Sequence, residues 1–213
     1  LSTMSPRQAD PQVRAALVET AARLLAEGGP DLLTLRRLTK EVGTSTMAVY
    51  THFGSMDDLR AEVAREGFDR LRRRLRTVEP SDDPVADLVR LGAAYLDNAV
   101  EHPSLYQAIF GLGAATPGAA GVAGVGYDTF LILVDGVQRC IDAGRFHPAD
   151  PLLLATQVWA GVHGAVALAH AGLLDPDELE RASAASARNL FVGFGDDRAR
   201  VSASFSRAGR GTE

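Results

Sequence analysis

The sequence has 213 residues, of which 46% are hydrophobic and 23% are charged, a composition ordinary for a soluble globular protein. Its formal net charge of −5 argues against a protein that coats nucleic acid over its whole surface. The single cysteine, Cys140, cannot form a disulfide within the chain, and no run approaches the length of a membrane span, so we expect a small buried thiol and a cytoplasmic protein without a membrane.

The predicted fold class is all-α, because apolar residues recur at helical spacing and period-2 runs of branched residues are absent. Four Asp-Pro pairs precede such apolar segments. Aspartate can accept the free N–H groups of a first helical turn, and proline fits where no N–H is needed. The pairs therefore predict four helix starts, at Asp10-Pro11, Asp83-Pro84, Asp150-Pro151 and Asp175-Pro176.

In the N-terminal part of the chain, the apolar spacing predicts four helices, at about residues 11–27, 35–42, 45–52 and 55–78. Gly28-Gly29 should end the first, Thr34 should cap the second, and Gly43 should end it. Ser55 opens a start that resembles a capping box before the long fourth helix.

A polar segment at residues 79–84 interrupts the pattern, and further helices are predicted near 84–101, 104–111, 127–143, 151–171 and 176–194. The glycine-rich stretch 111–126 is predicted to be a flexible connector. The polar tail 196–213 is predicted to be disordered.

Residues 34–53 have the plan of a helix-turn-helix: a short helix, a turn after Gly43, and a second short helix. The second helix of such a motif can enter the DNA major groove and present its N-terminal residues to base edges. The candidate DNA-binding residues of this helix and its cap either point outward or have side chains that suit contact with DNA: small ones, hydroxyls or rings. They are Ser45, Thr46, Met47, Ala48, Tyr50, Thr51 and His52. On the preceding helix, Thr34, Arg36 and Arg37 could hold the flanking strand.

A helical hairpin with a few surface aromatic side chains explains the same spacing equally well. Charge favours DNA mildly, because residues 1–79 carry a net +2 and residues 80–213 a net −7. The five arginines of residues 69–78 could bind nucleic acid, but Leu71, Leu75 and Val78 interleave with them, which is more typical of the solvated face of a helix.

The segment "TLRRLTKEVGTSTMAVYTHFGSMDDLRAEV" (34–63) resembles the DNA-binding segment of the TetR family of bacterial transcriptional repressors. The resemblance rests on the order of several features: Thr34, a short helix that ends at Gly43, Ser45, and a second short helix that contains Tyr-x-His-Phe (50–53). Ser-x-x-x-Leu (55–59) follows. It implies a DNA-binding domain at residues 1–54, followed at 55–195 by a helical domain that binds a ligand and forms a dimer, with residues 55–78 as a linker helix.

Three positions depart from the pattern of that family. Met47-Ala48 stands where Gly-Thr is frequent, Met56 stands where a lysine is usual, and Thr44 stands where an apolar residue is usual. Arg60 or Lys40 could replace the missing lysine. These departures predict an operator read differently from those of its relatives.

"VWAGVHGAV" (158–166) is similar to the Trp-x-x-x-His-Gly signature of one family of TetR C-terminal domains. The resemblance implies a homodimer through the helices at 151–171 and 176–194, and an inducer pocket. Aromatic side chains with a polar group suit an apolar pocket with a few orienting contacts. The candidate ligand-binding residues are Tyr95, Tyr106, Phe110, Tyr127, Trp159 and His163.

Two other classes of function remain open at this point: a helical enzyme with His163 as acid or base, and an interaction module without DNA binding. No metal site is expected, because His163 and His170 share a helix face without further ligands in sight. No cofactor is expected either, because "GVAGVG" (121–126) lacks the order of a dinucleotide motif and follows no strand. The expected partners are therefore a double-stranded operator, a small-molecule effector and a second copy of the chain.

Overall fold

The computed structural model describes residues 10–111 and 119–209, and all regular elements in these ranges are helices, which confirms the all-α prediction. The described helices, in chain order, are α1 (Pro11–Leu32), α2 (Leu35–Val42), α3 (Thr46–Phe53), α4 (Met56–Leu75), α5 (Pro84–Glu101), α6 (Pro103–Gly111), α7 (Ala119–Asp142), α8 (Pro151–His170), α9 (Pro176–Gly193) and α10 (Arg198–Gly209).

The aspartates of the four Asp-Pro pairs cap helices as predicted. Asp10, Asp83, Asp150 and Asp175 each accept a backbone N–H from the first turn of the helix that follows, at 2.8–3.1 Å. Such a bond satisfies one of the donors that a helix start leaves free, and is worth about 1 kcal/mol. The starts of α1, α5, α8 and α9 are thus set by local hydrogen bonding.

The described chain divides into two compact units. The first takes the described residues up to Asp69 together with those between His102 and Gly126. The second takes Arg70–Glu101 and the described residues from Tyr127 onward. Helix α4 therefore belongs to both units, and the division does not coincide with the predicted boundary after residue 54.

The core of the first unit explains this division. Leu17 and Leu24 of α1, Val49 of α3 and Leu59 of α4 have no solvent-exposed surface, and Leu105 of α6 is buried in the same cluster. The sequence places α6 beyond the polar break, but its apolar face completes the core built by α1–α4. Residues distant along the chain thus form one hydrophobic cluster.

Two predicted flexible segments are helical where the structure describes them. Residues 119–126, part of the predicted connector, form the start of α7, while 112–118 lie outside the described residues. The prediction of a disordered tail is wrong over Arg198–Gly209, which forms α10. Val201 and Ala208 of this helix are buried, so a short apolar stripe hidden among arginines and serines attaches it to the second unit.

A buried polar cluster also fixes α10. Arg145 donates to both carboxylate oxygens of Asp196 at 2.9 and 2.6 Å, and to Asp83 at 2.9 Å. Ser204 of α10 donates to the Asp83 carboxylate at 2.9 Å and accepts from Arg145 at 3.0 Å. Burial opposes the charge of Asp83, but hydrogen bonds from Ala86 N–H, Ser204 and Arg207 outweigh it and lower the pKa of this carboxyl group.

Cys140 is fully buried, as predicted for a small hydrophobic side chain. Burial raises the pKa of its thiol to about 12, because the thiolate would lose its hydration. The thiol is therefore protonated at neutral pH and is a packing group of the second unit.

The expectation that no run approaches a membrane span is wrong for helix α8, which is long and apolar enough to cross a membrane by length and composition, with a mean hydropathy of 1.5. Only 22% of this apolar window is buried within the chain. One such helix is weak evidence for a membrane span, because a helix that packs against a partner chain has the same composition. The exposed apolar face of α8 nevertheless requires an explanation.

Candidate nucleic-acid interface and ligand site

The turn between α2 and α3 has the geometry that a helix-turn-helix needs. Gly43 adopts a left-handed conformation (φ 72°), which a glycine reaches without steric cost, and its N–H bonds the carbonyl of Thr39. The Ser45 hydroxyl then accepts the N–H of Ala48 at 3.3 Å and caps α3. Thr34 caps α2 in the same way through the N–H of Arg37.

Helix α3 presents one face to the first unit's core and the opposite face to solvent. Val49 is fully buried, whereas Met47 is 67% and Tyr50 48% exposed. Thr46 and Thr51 are exposed too, so these four predicted outward positions do point away from the core. These four side chains are therefore accessible to a partner.

Two other candidate residues of α3 are less accessible. Ala48 is half-buried near the start of the helix, and His52 is half-buried with its ring 5.9 Å from that of Phe53. Phe53 packs against the core as expected, and the guanidinium of Arg14 lies over its ring at 5.4 Å. His52 therefore lies at the edge of the exposed face.

The two arginines of α2 differ in their partners. Arg37 donates to Glu41 at 2.9 Å, and Glu41 also bonds Arg23 of α1. The hydrogen bonds from Arg37 and then Arg23 lower the pKa of the Glu41 carboxyl group. Arg36 is exposed; its carbonyl accepts from the Thr39 hydroxyl at 3.4 Å, but among the described residues its guanidinium has no carboxylate partner.

Sequence reasoning missed the carboxylate partner of Arg37, although its i,i+4 spacing from Glu41 is a recognised helical pairing signal. A DNA phosphate would have to compete with Glu41 for the guanidinium of Arg37. It could bind the exposed guanidinium of Arg36 without such competition.

The three departures from the family pattern have different surroundings. Met56 packs against the core of the first unit, so it serves the fold. Thr44 is half-buried in the turn. Of the two substitutes considered for the missing lysine, Arg60 bonds Asp57 at 2.6 Å, whereas Lys40 is exposed.

Three of the predicted ligand-binding residues meet in the second unit. The Tyr95 hydroxyl lies 3.0 Å from His163 Nδ1, and the indole N–H of Trp159 donates to the same hydroxyl at 3.3 Å. The ring of Phe130 lies 5.8 Å from that of Trp159. We refer to Tyr95, Trp159 and His163 as the tyrosine–histidine cluster. It combines aromatic surface with linked polar groups, as small-molecule sites do.

The other three predicted residues lie elsewhere. Tyr106 is buried and Phe110 half-buried in the first unit, where their rings are 4.8 Å apart and Phe110 contacts Phe68 edge-on. Tyr127 belongs to the second unit and is 54% exposed. The spacing of aromatic residues along the chain did not reveal this division.

Burial lowers the pKa of His163 below 6.5, so the folded chain takes up a proton at this ring less readily than the unfolded chain. Acid therefore favours unfolding: the free energy of unfolding should fall as the pH drops below about 6.5 and level off below the folded-state pKa. In His163→Gln, the amide can still accept from Tyr95 but does not titrate. We expect a smaller loss of stability between about pH 7.5 and about pH 5, measured by urea unfolding. Equal losses in both proteins would contradict this assignment.

Comparisons with known proteins identify the family of both parts of the chain. The family model described as bacterial regulatory proteins, tetR family, matches residues 17–63, and that described as tetracyclin repressor-like, C-terminal domain, matches residues 88–191. The uncharacterized HTH-type transcriptional regulator Rv0681 of Mycobacterium tuberculosis is 31% identical over 172 residues, which cover 76% of this chain and 72% of that protein.

Two solved structures have the same fold. One is a protein of unknown function from a Rhodococcus species, with a TM-score of 0.75 and 27% identity, over 90% of this chain and 100% of that one. The other is the TetR family transcriptional regulator PfmR from Thermus thermophilus, with a TM-score of 0.71 and 20% identity, over 85% of this chain and 99% of that one.

Proposed function

We propose that this chain, which belongs to the TetR family of bacterial transcriptional regulators, binds a palindromic operator in the cytoplasm as a homodimer and releases it when a small hydrophobic molecule binds. The family and the relative from Mycobacterium tuberculosis are transcriptional regulators and not enzymes, which argues against an enzymatic role for His163. We propose further that it acts as a repressor, so that its release allows transcription of the genes it controls.

The observation that carries the proposal is the exposed face of α3, the helix that follows the turn at Gly43. Met47 can touch a thymine methyl, and the hydroxyls of Thr46 and Tyr50 can bond base edges or phosphates. Thr51 already donates its hydroxyl to the Met47 carbonyl at 2.8 Å, so it would act as an acceptor. Ser45, Ala48 and His52 complete the DNA-facing surface.

Phosphate contacts would come from the N-terminal side of this surface. Backbone N–H groups at a helix start suit phosphate, and Thr34 and Ser45 mark two such starts. Arg36 would supply a positive charge to a phosphate. Arg37 would supply another if its hydrogen bond to Glu41 were exchanged for one to the phosphate. These contacts position the motif without reading sequence.

The experiment is a selection from a random duplex library by the full-length protein. We expect enrichment of an inverted repeat whose half-sites lie about one helical turn apart, with affinity that falls steeply as salt rises. A pool that stays unenriched after repeated rounds, or binding that ignores salt, would refute DNA recognition.

Dimerisation through α8 and α9 is supported by their exposed small and apolar residues. In α8, Leu153 is 56% exposed, and Ala160 is exposed on the same face; Ala182 and Ala185 of α9 are exposed too. The two helices approach closely, because a Cβ on Gly161 would lie 2.9 Å from the Ser186 hydroxyl. A second copy covering this face would account for an apolar helix that is mostly unburied in one chain.

Ala160→Glu should therefore convert the dimer to a monomer, because it places a charge in the centre of the apolar interface. A single chain should tolerate the glutamate, because Ala160 is exposed to solvent there. Sedimentation equilibrium should give the 22.6 kDa mass of one chain. Ala199→Glu, an exposed alanine of α10, is the matched control and should remain dimeric. A dimeric Ala160→Glu protein would place the interface elsewhere.

We propose the tyrosine–histidine cluster as the effector site and α4 as the connection to the DNA-binding motif. Leu59 and Val63 of α4 are buried in the first unit, and Leu71 and Leu75 are buried residues of the second unit's part of the same unbroken helix. An effector that prefers one orientation of α4 would shift the population of dimers whose two motifs match the operator.

A compound found by thermal-shift screening to bind at this cluster should lower affinity for the selected duplex by about 5- to 150-fold, the usual range of allosteric coupling. Tyr95→Phe, which removes the hydroxyl that links His163 and Trp159, should weaken compound binding but not binding to DNA. Unchanged DNA affinity in the presence of a saturating compound would refute the coupling.

A further inference from the structure

Helix α2 carries two pairs of charged residues at i,i+4 spacing, and the pairs differ in sign. Arg36 and Lys40 are both cations, whereas Arg37 and Glu41 have opposite charges. Residues four apart on a helix are neighbours, so the first pair repels and the second attracts. Among the described residues, neither the Arg36 guanidinium nor the Lys40 ammonium has a carboxylate partner. One face of α2 is therefore open to a polyanion, and the adjacent face is neutralised within the chain.

The neutralised face belongs to a closed ring of four charged side chains that joins α1 to α2. Arg37 donates to Glu41 at 2.9 Å, and Glu41 also accepts from Arg23 of α1. Arg23 donates to Glu27 at 2.6 Å, and a carboxylate oxygen of Glu27 lies 3.9 Å from the Arg37 guanidinium. We refer to Arg23, Glu27, Arg37 and Glu41 as the α1–α2 charge ring.

Glu41 is the member of this ring that accepts hydrogen bonds from both arginines. Those bonds, from Arg37 and then Arg23, lower the pKa of the Glu41 carboxyl group, so Glu41 is charged at neutral pH. The Arg37 side chain is 42% exposed and that of Glu41 29%, so an incoming phosphate can reach the guanidinium but finds it already paired. The ring therefore cancels a positive charge on the helix that precedes α3.

We propose that Glu41 limits the affinity of the helix-turn-helix for DNA by holding Arg37 in the α1–α2 charge ring. A phosphate gains Arg37 only when the bond to Glu41 breaks, and the carboxylate left behind repels the phosphate. Phosphate contacts carry no sequence information, so the limit applies to operator and random duplex alike. This inference rests on the proposed function, because it concerns the same DNA-binding surface.

A limited affinity suits a regulator that a small molecule has to release. Allosteric coupling changes an affinity by about 5- to 150-fold. If additional phosphate contacts made operator binding much tighter than this, a change of that size would leave the operator occupied. The α1–α2 charge ring would keep operator binding within the range that an effector can reverse.

The test replaces Glu41 by glutamine, which keeps the size of the side chain and an acceptor oxygen but removes the charge. The full-length Glu41→Gln protein should bind a random-sequence duplex about 3- to 10-fold more tightly than the unmodified chain at low salt. The gain should shrink as salt rises, because exposed charges are screened. If Glu41 served only to hold α1 against α2, its replacement should weaken DNA binding instead.

Two further variants assign the gain to Arg37. Asp31→Asn makes the same change of charge at an exposed residue of the first unit that has no arginine partner among the described residues. It should raise the affinity by less than about 1.5-fold, as expected for a screened, distant charge. The double variant Arg37→Gln, Glu41→Gln should bind no more tightly than Arg37→Gln alone.

The possible outcomes separate this inference from the proposed function. An unmodified chain without salt-dependent binding to any duplex would refute the DNA-binding function and this inference with it. If the unmodified chain binds DNA but Glu41→Gln gains no more than Asp31→Asn, the inference alone is overturned. A gain that persists in the Arg37→Gln background would also overturn it, because Arg37 would not be the group that Glu41 holds back.

Discussion

Replacing Thr46 and Tyr50 together by alanine should lower the affinity for the selected operator by at least about 30-fold, while affinity for random duplex changes little. Each base contact is worth about 1–3 kcal/mol, and both side chains are exposed on the face of α3 that points away from the core. The measurement is a titration of both duplexes at several salt concentrations. The expected signature is a loss of sequence preference at an unchanged salt slope.

Two controls make this result specific. Because the two side chains are exposed, the free energy of unfolding should change by less than about 0.5 kcal/mol. Arg36→Ala should instead weaken both duplexes alike and reduce the salt slope by about one, as expected for a phosphate contact. If the double alanine variant also lost affinity uniformly, α3 would position the protein rather than read bases.

Arg145→Met should destabilise the second unit by about 3–5 kcal/mol, because it removes the buried cation that binds Asp196 and leaves Asp83 with only the exposed Arg207. Asp196 has a fully buried side chain, and that of Asp83 is 9% exposed. The free energy of unfolding should be measured by urea denaturation at neutral pH. Hydrogen exchange should show that α10 loses protection first, since Ser204 attaches it to the same cluster.

The matched control is Arg200→Met, in the same neighbourhood. Arg200 is 57% exposed and lies 4.0 Å from Asp196, so its loss should cost less than about 1 kcal/mol. Similar losses in the two variants would mean that the buried pair contributes no more than a surface pair.

The helix-turn-helix could be predicted from sequence because its determinants are local. Thr34 and Ser45 cap helices through N–H groups three residues away, and Gly43 adopts the left-handed conformation that ends α2. The same holds for the four aspartate caps. Interactions over two to four residues leave a pattern that can be read along the chain.

The tyrosine–histidine cluster, which we propose as the effector site, was predicted less completely, because its members come from different helices. Tyr95 and His163 are 68 residues apart, yet the hydroxyl and the ring nitrogen are 3.0 Å apart. Tyr106 and Phe110 share the same aromatic character but belong to the first unit. Residue type and helical spacing cannot distinguish these cases, because only packing decides which helix faces become neighbours.

By itself, the sequence determined the family, the helical class and the exposed face of α3, all of which depend on local hydrogen bonds and on apolar spacing within single helices. The tertiary structure alone decided that α6 completes the core of the first unit and that the polar tail folds as α10. Both outcomes depend on contacts between distant residues: Ser204 reaches Asp83 across 121 positions. A polar segment becomes ordered when its side chains bind buried groups elsewhere in the fold, as Ser204 binds Asp83. The pattern of residues along the segment does not show which distant group will be its partner.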